Sequence, residues 1–207
     1  MATFPRTRLP ERVGLPWLPG AIKQRSQAGL LQIRNTKQVG WTWTEEWNLL
    51  SVRNADDMAL IAFVTKMWNR GEIHDFTHPL LPGSGVARNG TGTGTPVVNG
   101  ASQTGDTLNV DGWGASQSNV MRAGDVFTIG TTDKAVYMVG ADASSDGAGA
   151  ATLQISPALR VSPADGAALT ISGVTFRATC LDRSQFEGSE APQYYGGLTL
   201  TITEALP

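Results

Sequence analysis

From Gln38 to Leu50 the chain alternates between apolar and polar residues, with Val39, Trp41, Trp43, Trp47 and Leu49 on one side and Gln38, Thr42, Thr44, Glu46 and Asn48 on the other. A period of two is that of a strand with one face in a core. Only Glu45 interrupts the apolar face, and three tryptophans on it would supply much of the buried area of a small sandwich. The period then lengthens: Met58, Ile61, Val64 or Thr65, and Trp68 recur at helical spacing, widened by Leu60, Phe63 and Met67. Asn54 stands at the N-cap, Asp56 and Asp57 face the positive end of the dipole, and Gly71 occupies the C-cap position, so the helix ends near Asn69 and Arg70. Glu72 to His78 reads as a further strand, stopped by Pro79 and Pro82.

Periodicity is lost between Gly83 and Gly105, where Gly, Ser, Thr and Asn surround Gly90-Thr91-Gly92-Thr93-Gly94, and a linker is expected. Short strands follow at Thr107–Val110, Asp125–Ile129, Val136–Val139, Thr152–Ser156, Ala168–Ile171 and Val174–Cys180. Turn chemistry separates them, as Asp111-Gly112, Asp146-Gly147 and Asp165-Gly166, which is the pattern of a compact barrel or sandwich. A last alternation sets Leu198, Leu200 and Ile202 against Thr199, Thr201 and Thr203 within Tyr194 to Leu206. Ahead of all this, Pro5, Pro10, Pro16 and Pro19 keep the first 26 residues extended or irregular. The apolar Phe4, Leu9, Leu15, Trp17 and Leu18 imply that this arm lies against a surface, its own or a partner's.

Composition and charge refine this picture. Charged residues make up 16% of the 207, and Gly is abundant, a balance that suits short strands and tight turns. Residues 1–37 carry seven basic side chains and one acidic, a net of +6, while the other 170 residues carry nine basic and seventeen acidic, a net of −8. An overall charge of −2 argues against a dedicated nucleic-acid binder, but the polarity could draw one end of a copy to the body of another. Cys180 is the single cysteine, so no intrachain disulfide forms. With no signal-type or membrane-spanning apolar run, a soluble protein assembled in the cytoplasm is expected.

Candidate chemistry is sparse. Nucleophilic catalysis needs a histidine placed beside a serine or cysteine and a carboxylate, yet only His74 and His78 are available and no Gly-x-Ser-x-Gly elbow occurs. Those two histidines share a strand face and could in principle share a metal, with ordinary structural histidines the favoured reading. The Gly90–Gly94 run lacks the strand, helix and Gly-Lys-Ser/Thr of a phosphate loop. Asp142 to Gly147 lacks the closing glutamate of a calcium loop and reads as a hairpin tip. If Glu45 points inward, an arginine such as Arg34 or Arg177 would be its ion-pair partner. No enzyme activity, catalytic residue, metal site or cofactor is therefore expected.

The run Met121-Arg122-Ala123-Gly124-Asp125-Val126-Phe127-Thr128-Ile129, then Val136-Tyr137-Met138-Val139, Ala141-Asp142 to Asp146-Gly147, Ala151-Thr152-Leu153, Ile155-Ser156-Pro157-Ala158-Leu159-Arg160 and Ala164-Asp165-Gly166-Ala167, resembles a module recurring in virion proteins of tailed bacteriophages. The remainder, a basic arm, Trp-rich strand, single helix and the C-terminal strand Tyr195-Gly196-Gly197-Leu198-Thr199-Leu200, is similar in outline to distal-tail and minor-tail proteins of long-tailed (siphovirus-type) phages. The resemblance implies a mainly β structural virion protein: a β-sandwich hub domain with one helix, carrying a small OB-like or galectin-like β-barrel. It implies a homo-oligomeric, hexameric ring in the virion tail, joining the tail tube protein to tail tip, hub and fibre proteins of the baseplate. The expected layout is an arm at 1–26 that could reach a neighbouring subunit, a hub at 27–82 plus 194–207, a linker at 83–105, and an inserted barrel at 106–193. Two alternatives stay open: a module that binds host surface glycan, for which Trp113, Phe127 and Tyr137 would supply aromatic faces, or a tail-tube or tail-completion protein.

Overall fold

A computed structural model describes residues 4, 9–17, 21–25, 31–35, 40–48, 55–70, 72–130, 135–183 and 197–205. Expectations for Val39, Leu49, Asn54, Gly71 and Tyr194, and for the side chains of Arg34, Met67 and Trp68, lie outside the described residues. The elements run β1 (Arg12–Val13), β2 (Ala21–Arg25), β3 (Leu31–Asn35), β4 (Thr42–Asn48), α1 (Ala55–Arg70), β5 (His74–Phe76), β6 (Gly94–Val98), β7 (Thr107–Trp113), β8 (Val126–Ile129), β9 (Val136–Val139), β10 (Ala151–Ser156), β11 (Leu169–Thr170), β12 (Phe176–Arg183) and β13 (Gly197–Glu204). Among the described residues the protein is mainly β with one helix, in agreement with its sequence pattern.

The chain divides into two compact units. The first is assembled from Met1–Trp17, Gly40–Leu80 and Thr175–Ala205. Its antiparallel sheet has the order β1-β4-β13-β12-β5. Register pairs Trp43 with Ile202, Glu45 with Leu200 and Trp47 with Leu198, so the two alternating patterns share one buried face. Phe176, Ala178 and Cys180 of β12 and Phe76 of β5 are buried in this unit too, which explains why β12 pairs here and not with the later strands of the barrel. Along α1, Asp57, Leu60 and Val64 are buried, Ile61 and Phe63 half-buried and Met58 exposed, so the packed face runs through Leu60 and Val64 and takes members from both expected stripes.

The N-terminal residues join both edges of this sheet. At the β5 edge the Phe4 amide donates to the Asp75 carbonyl at 3.0 Å, and its ring stacks on Phe76 at 4.7 Å and meets Phe63 edge-on at 5.4 Å. At the β4 edge Glu11 and Gly14 donate to the carbonyls of Glu46 and Thr44, both at 2.8 Å, and Trp17 and Thr42 exchange bonds of 2.9 and 3.0 Å. Of the two surfaces expected for the arm, its own or a partner's, the described residues 4 and 11–17 lie on their own: edge backbone groups and an aromatic pocket of the same chain hold them.

The second unit contains Leu81–Val174 together with Leu18–Val39, the stretch of β2 and β3 expected in part within the hub, and its larger sheet has the order β11-β8-β9-β10-β7-β6. It closes on itself, because Val97 of β6 bridges Ala168 just before β11, and Val98 and Ala167 and Gly166 exchange backbone bonds of 2.9 Å. Closure removes the open edges of the sheet, and the interior is filled by Leu108, Val110, Phe127, Tyr137, Val139, Leu153 and their neighbours. The entering and leaving chains are tied together, with Val174 N donating to Gly83 O at 2.9 Å and Ser84 Oγ to Val174 O at 2.7 Å.

This corrects the expected linker at 83–105 and the barrel limits of 106–193. The glycine-rich stretch contains β6 and lies directly on the barrel wall: a Cβ on Gly90 would stand 2.6 Å from Met121 Cα and Val120 O, and one on Gly92 would stand 2.6 Å from Val120 Cβ. Glycine is needed there for close backbone approach, not for flexibility. Asp111-Gly112 is likewise no turn. It lies inside β7, where Gly112 at φ +83° forms an irregularity opposite β6. Strands β2 and β3 pair only with each other among the described residues.

Gly92→Ala should lower barrel stability by about 1–3 kcal/mol, the usual cost of overpacking against atoms that cannot move aside. Thermal unfolding measures this, and an unchanged midpoint would mean that the strap does not press on Val120.

Candidate functional site

The loops of the barrel are organised by aspartates that accept main-chain amides. Asp125 is fully buried, and its carboxylate accepts from Asn89 (2.7 Å), Gly90 (2.8 Å) and Arg122 (2.9 Å). Asp142 accepts from Ala123 at 2.9 Å and Asp165 from Gly100 at 2.7 Å. The strap is held from its other side by Arg88, whose guanidinium donates to Val120 O at 2.8 Å and to Gly92 O, and lies 5.8 Å over the Trp113 ring. The Gln117 side chain accepts from Thr93 N at 2.8 Å and donates to Thr93 Oγ1 at 2.6 Å.

These loops shape a groove of about 460 Å³ on the barrel, lined by Asn99, Asn109, Ser144, Ser145, Asp146 and Thr152 among others. Its floor is the β7–β10 ladder, where Asn109 faces Thr152 in register and accepts its hydroxyl at 2.8 Å. Gln103 braces one end by accepting the Asn109 amide at 2.7 Å. Ser145 is committed to structure, donating to Gly114 O at 2.7 Å and accepting from Gln117 N at 2.9 Å. Asp146 also lines the groove and accepts from Ala148 and Ala150 through Oδ1, each at 2.8 Å. Amide donors to the ionised carboxylate, Ala150 foremost and then Ala148, hold its pKa below the usual aspartate value. The groove offers amide, hydroxyl and carboxylate groups for hydrogen bonding, without an acid–base pair or an activated nucleophile among its described residues.

The residues singled out by sequence do not converge. His78 is buried against Trp43, with ring centroids 5.6 Å apart. Its Nδ1 accepts from Leu80 N at 3.3 Å, so the proton resides on Nε2, which donates to Gly14 O at 3.1 Å. His74 packs on Phe63 with centroids 4.6 Å apart and its Nε2 lies 3.3 Å from Glu72 Oε2. Among the described residues no three His, Cys, Asp or Glu side chains form a metal-binding group. Glu45 does point inward, and Trp43 Nε1 donates to its Oε1 at 3.1 Å. Trp113, Phe127 and Tyr137, the aromatic faces that a glycan-binding barrel would offer, are all buried inside it. Asp125, the residue with the most evident structural task, is legible in sequence only as the start of a strand after Ala-Gly.

No helix among the described residues is long and apolar enough to cross a membrane. Comparison with models of known protein families finds no match, and a search of curated proteins likewise finds none.

The carboxylate of Asp146 supplies a pH test. Because its folded pKa is depressed, the bonds to Ala148 and Ala150 are fully present above 3.8 and are lost as pH falls through the lower folded value. The amide shifts of Ala148 and Ala150 followed by NMR should therefore titrate with a midpoint below 3.8, and a midpoint at or above it would contradict the geometry.

Proposed function

We propose that this chain is a structural subunit of a phage tail, one copy of a ring at the distal end of the tail tube. The observation that carries the reading is the discontinuous build. A sheet made from both ends of the chain holds a closed barrel between Leu80 and Thr175, and the entering and leaving segments are bonded to each other through Gly83, Ser84 and Val174. A hub sheet with a projecting, inserted barrel is the layout that the resemblance of residues 121–167 to virion modules implies. A second support is chemical: the polar groups of the barrel are spent on main-chain amides, as Asp125, Asp142 and Asp165 illustrate, which serves shape and not turnover.

In this reading the partners are other copies of the chain, the tail tube above and tip or fibre proteins below, assembled in the host cytoplasm. The glycan-binding alternative has lost its aromatic faces to the barrel interior and keeps only the polar groove around Asn109. Negative-stain imaging of the purified protein should show rings with a central hole and six-fold averages. Fields of isolated particles the size of one 21.9 kDa chain at all concentrations would refute the proposal.

A further inference from the structure

Three of the large apolar side chains most open to solvent lie within nine residues of one another. Leu9 is 70% exposed, Leu15 71% and Trp17 55%. They belong to the segment that runs along β4 at one edge of the first unit's sheet, and hydrogen bonds at Glu11, Gly14 and Trp17 fix the backbone beneath them. Such a cluster is unlike the scattered single apolar residues of an ordinary surface. Its mode of contact is constrained as well. Pro10 and Pro16 have no amide to donate and interrupt this edge, which opposes the addition of a further strand and leaves side-chain packing as the means of docking. Held on a fixed backbone, Leu15 and Trp17 lose little freedom on binding, the property of an anchor.

Charge indicates what docks. Arg12 lies in the middle of this edge with its side chain 79% exposed. The sequence that follows is basic as well, with Lys23, Arg25, Arg34 and Lys37. The region from 1 to 37 is thus basic and apolar with a net of +6, and the rest of the same chain carries −8. We infer that the edge bearing Leu9, Leu15 and Trp17 is a docking surface for a second copy of this chain, whose acidic remainder complements the charge of this basic stretch of sequence. Contact of one copy's edge with a different face of the next is heterologous, the kind of contact that generates rings. This inference rests on the ring reading and specifies its interface.

The test compares the mass in solution of the unaltered chain, of the Leu15→Ser/Trp17→Ser variant, and of a Val161→Ser control that removes a comparably exposed apolar residue from the barrel. Light scattering coupled to size exclusion gives the mass, and far-ultraviolet circular dichroism checks the fold. Because both altered side chains are exposed and Trp17 bonds Thr42 through its backbone, the double variant should stay folded. The expected result is an oligomer for the unaltered chain and the control, and a fall to 21.9 kDa for the folded double variant. An oligomer of unchanged mass in the double variant overturns the inference alone, as does equal dissociation by Val161→Ser. An unaltered chain that is itself a monomer overturns the ring reading and this interface with it.

Discussion

Asp125 sits inside the barrel with no exposure, and three main-chain amides, those of Asn89, Gly90 and Arg122, donate to its carboxylate within 2.9 Å. An ionised carboxylate without such donors is expensive to bury, whereas each charge-assisted bond contributes about 1.5–3 kcal/mol. The two amides from the strap bring residues 89 and 90 onto the wall formed by Val120 and Met121, and so place β6 where it can pair with β7 on one side and Ala168 on the other. One carboxylate thus fixes the segment that leads into the closing strand β6. Arg88, reaching Val120 and Gly92 from the same strap, strengthens the arrangement from its other flank.

The legible parts of this fold are those where one local period carries the information. The alternation through Trp41, Trp43 and Trp47, the helix of residues 55–70, and strands at 107, 126, 136 and 151 follow from sequence because each buries a face of its own. What sequence obscured is tertiary. The strap from Gly90 to Gly94 has the composition of a linker, since glycine serves close approach as well as flexibility and only the neighbours Met121 and Val120 tell the two apart. Similarly, β12 has the pattern of a barrel strand, and its membership of the first sheet is decided by pairing with β13 and β5. Asp111-Gly112 carries a turn signature but serves a bulge. The aspartate acceptors were invisible for the same reason, because Asp125 bonds to Asn89 and Gly90, Asp142 to Ala123 and Asp165 to Gly100, partners between 19 and 65 positions away.

For function the consequence is a division of labour within each unit. In the sheet unit, Phe4 and residues 11–17 spend their backbone groups on the two edges and leave Leu9, Leu15 and Trp17 outward. In the barrel unit, aromatic residues fill the interior and polar side chains secure loops, which leaves a polar groove around Asn109 and Thr152.

Amide hydrogen exchange across residues 88–98 tests the central claim most directly. If Asp125 pins the strap, the amides of Gly90 and Gly92 exchange as slowly as those of β7 in the unaltered protein, and both accelerate by orders of magnitude in Asp125→Ala. Exchange at free-peptide rates in the unaltered protein, or unchanged protection in the variant, would contradict it.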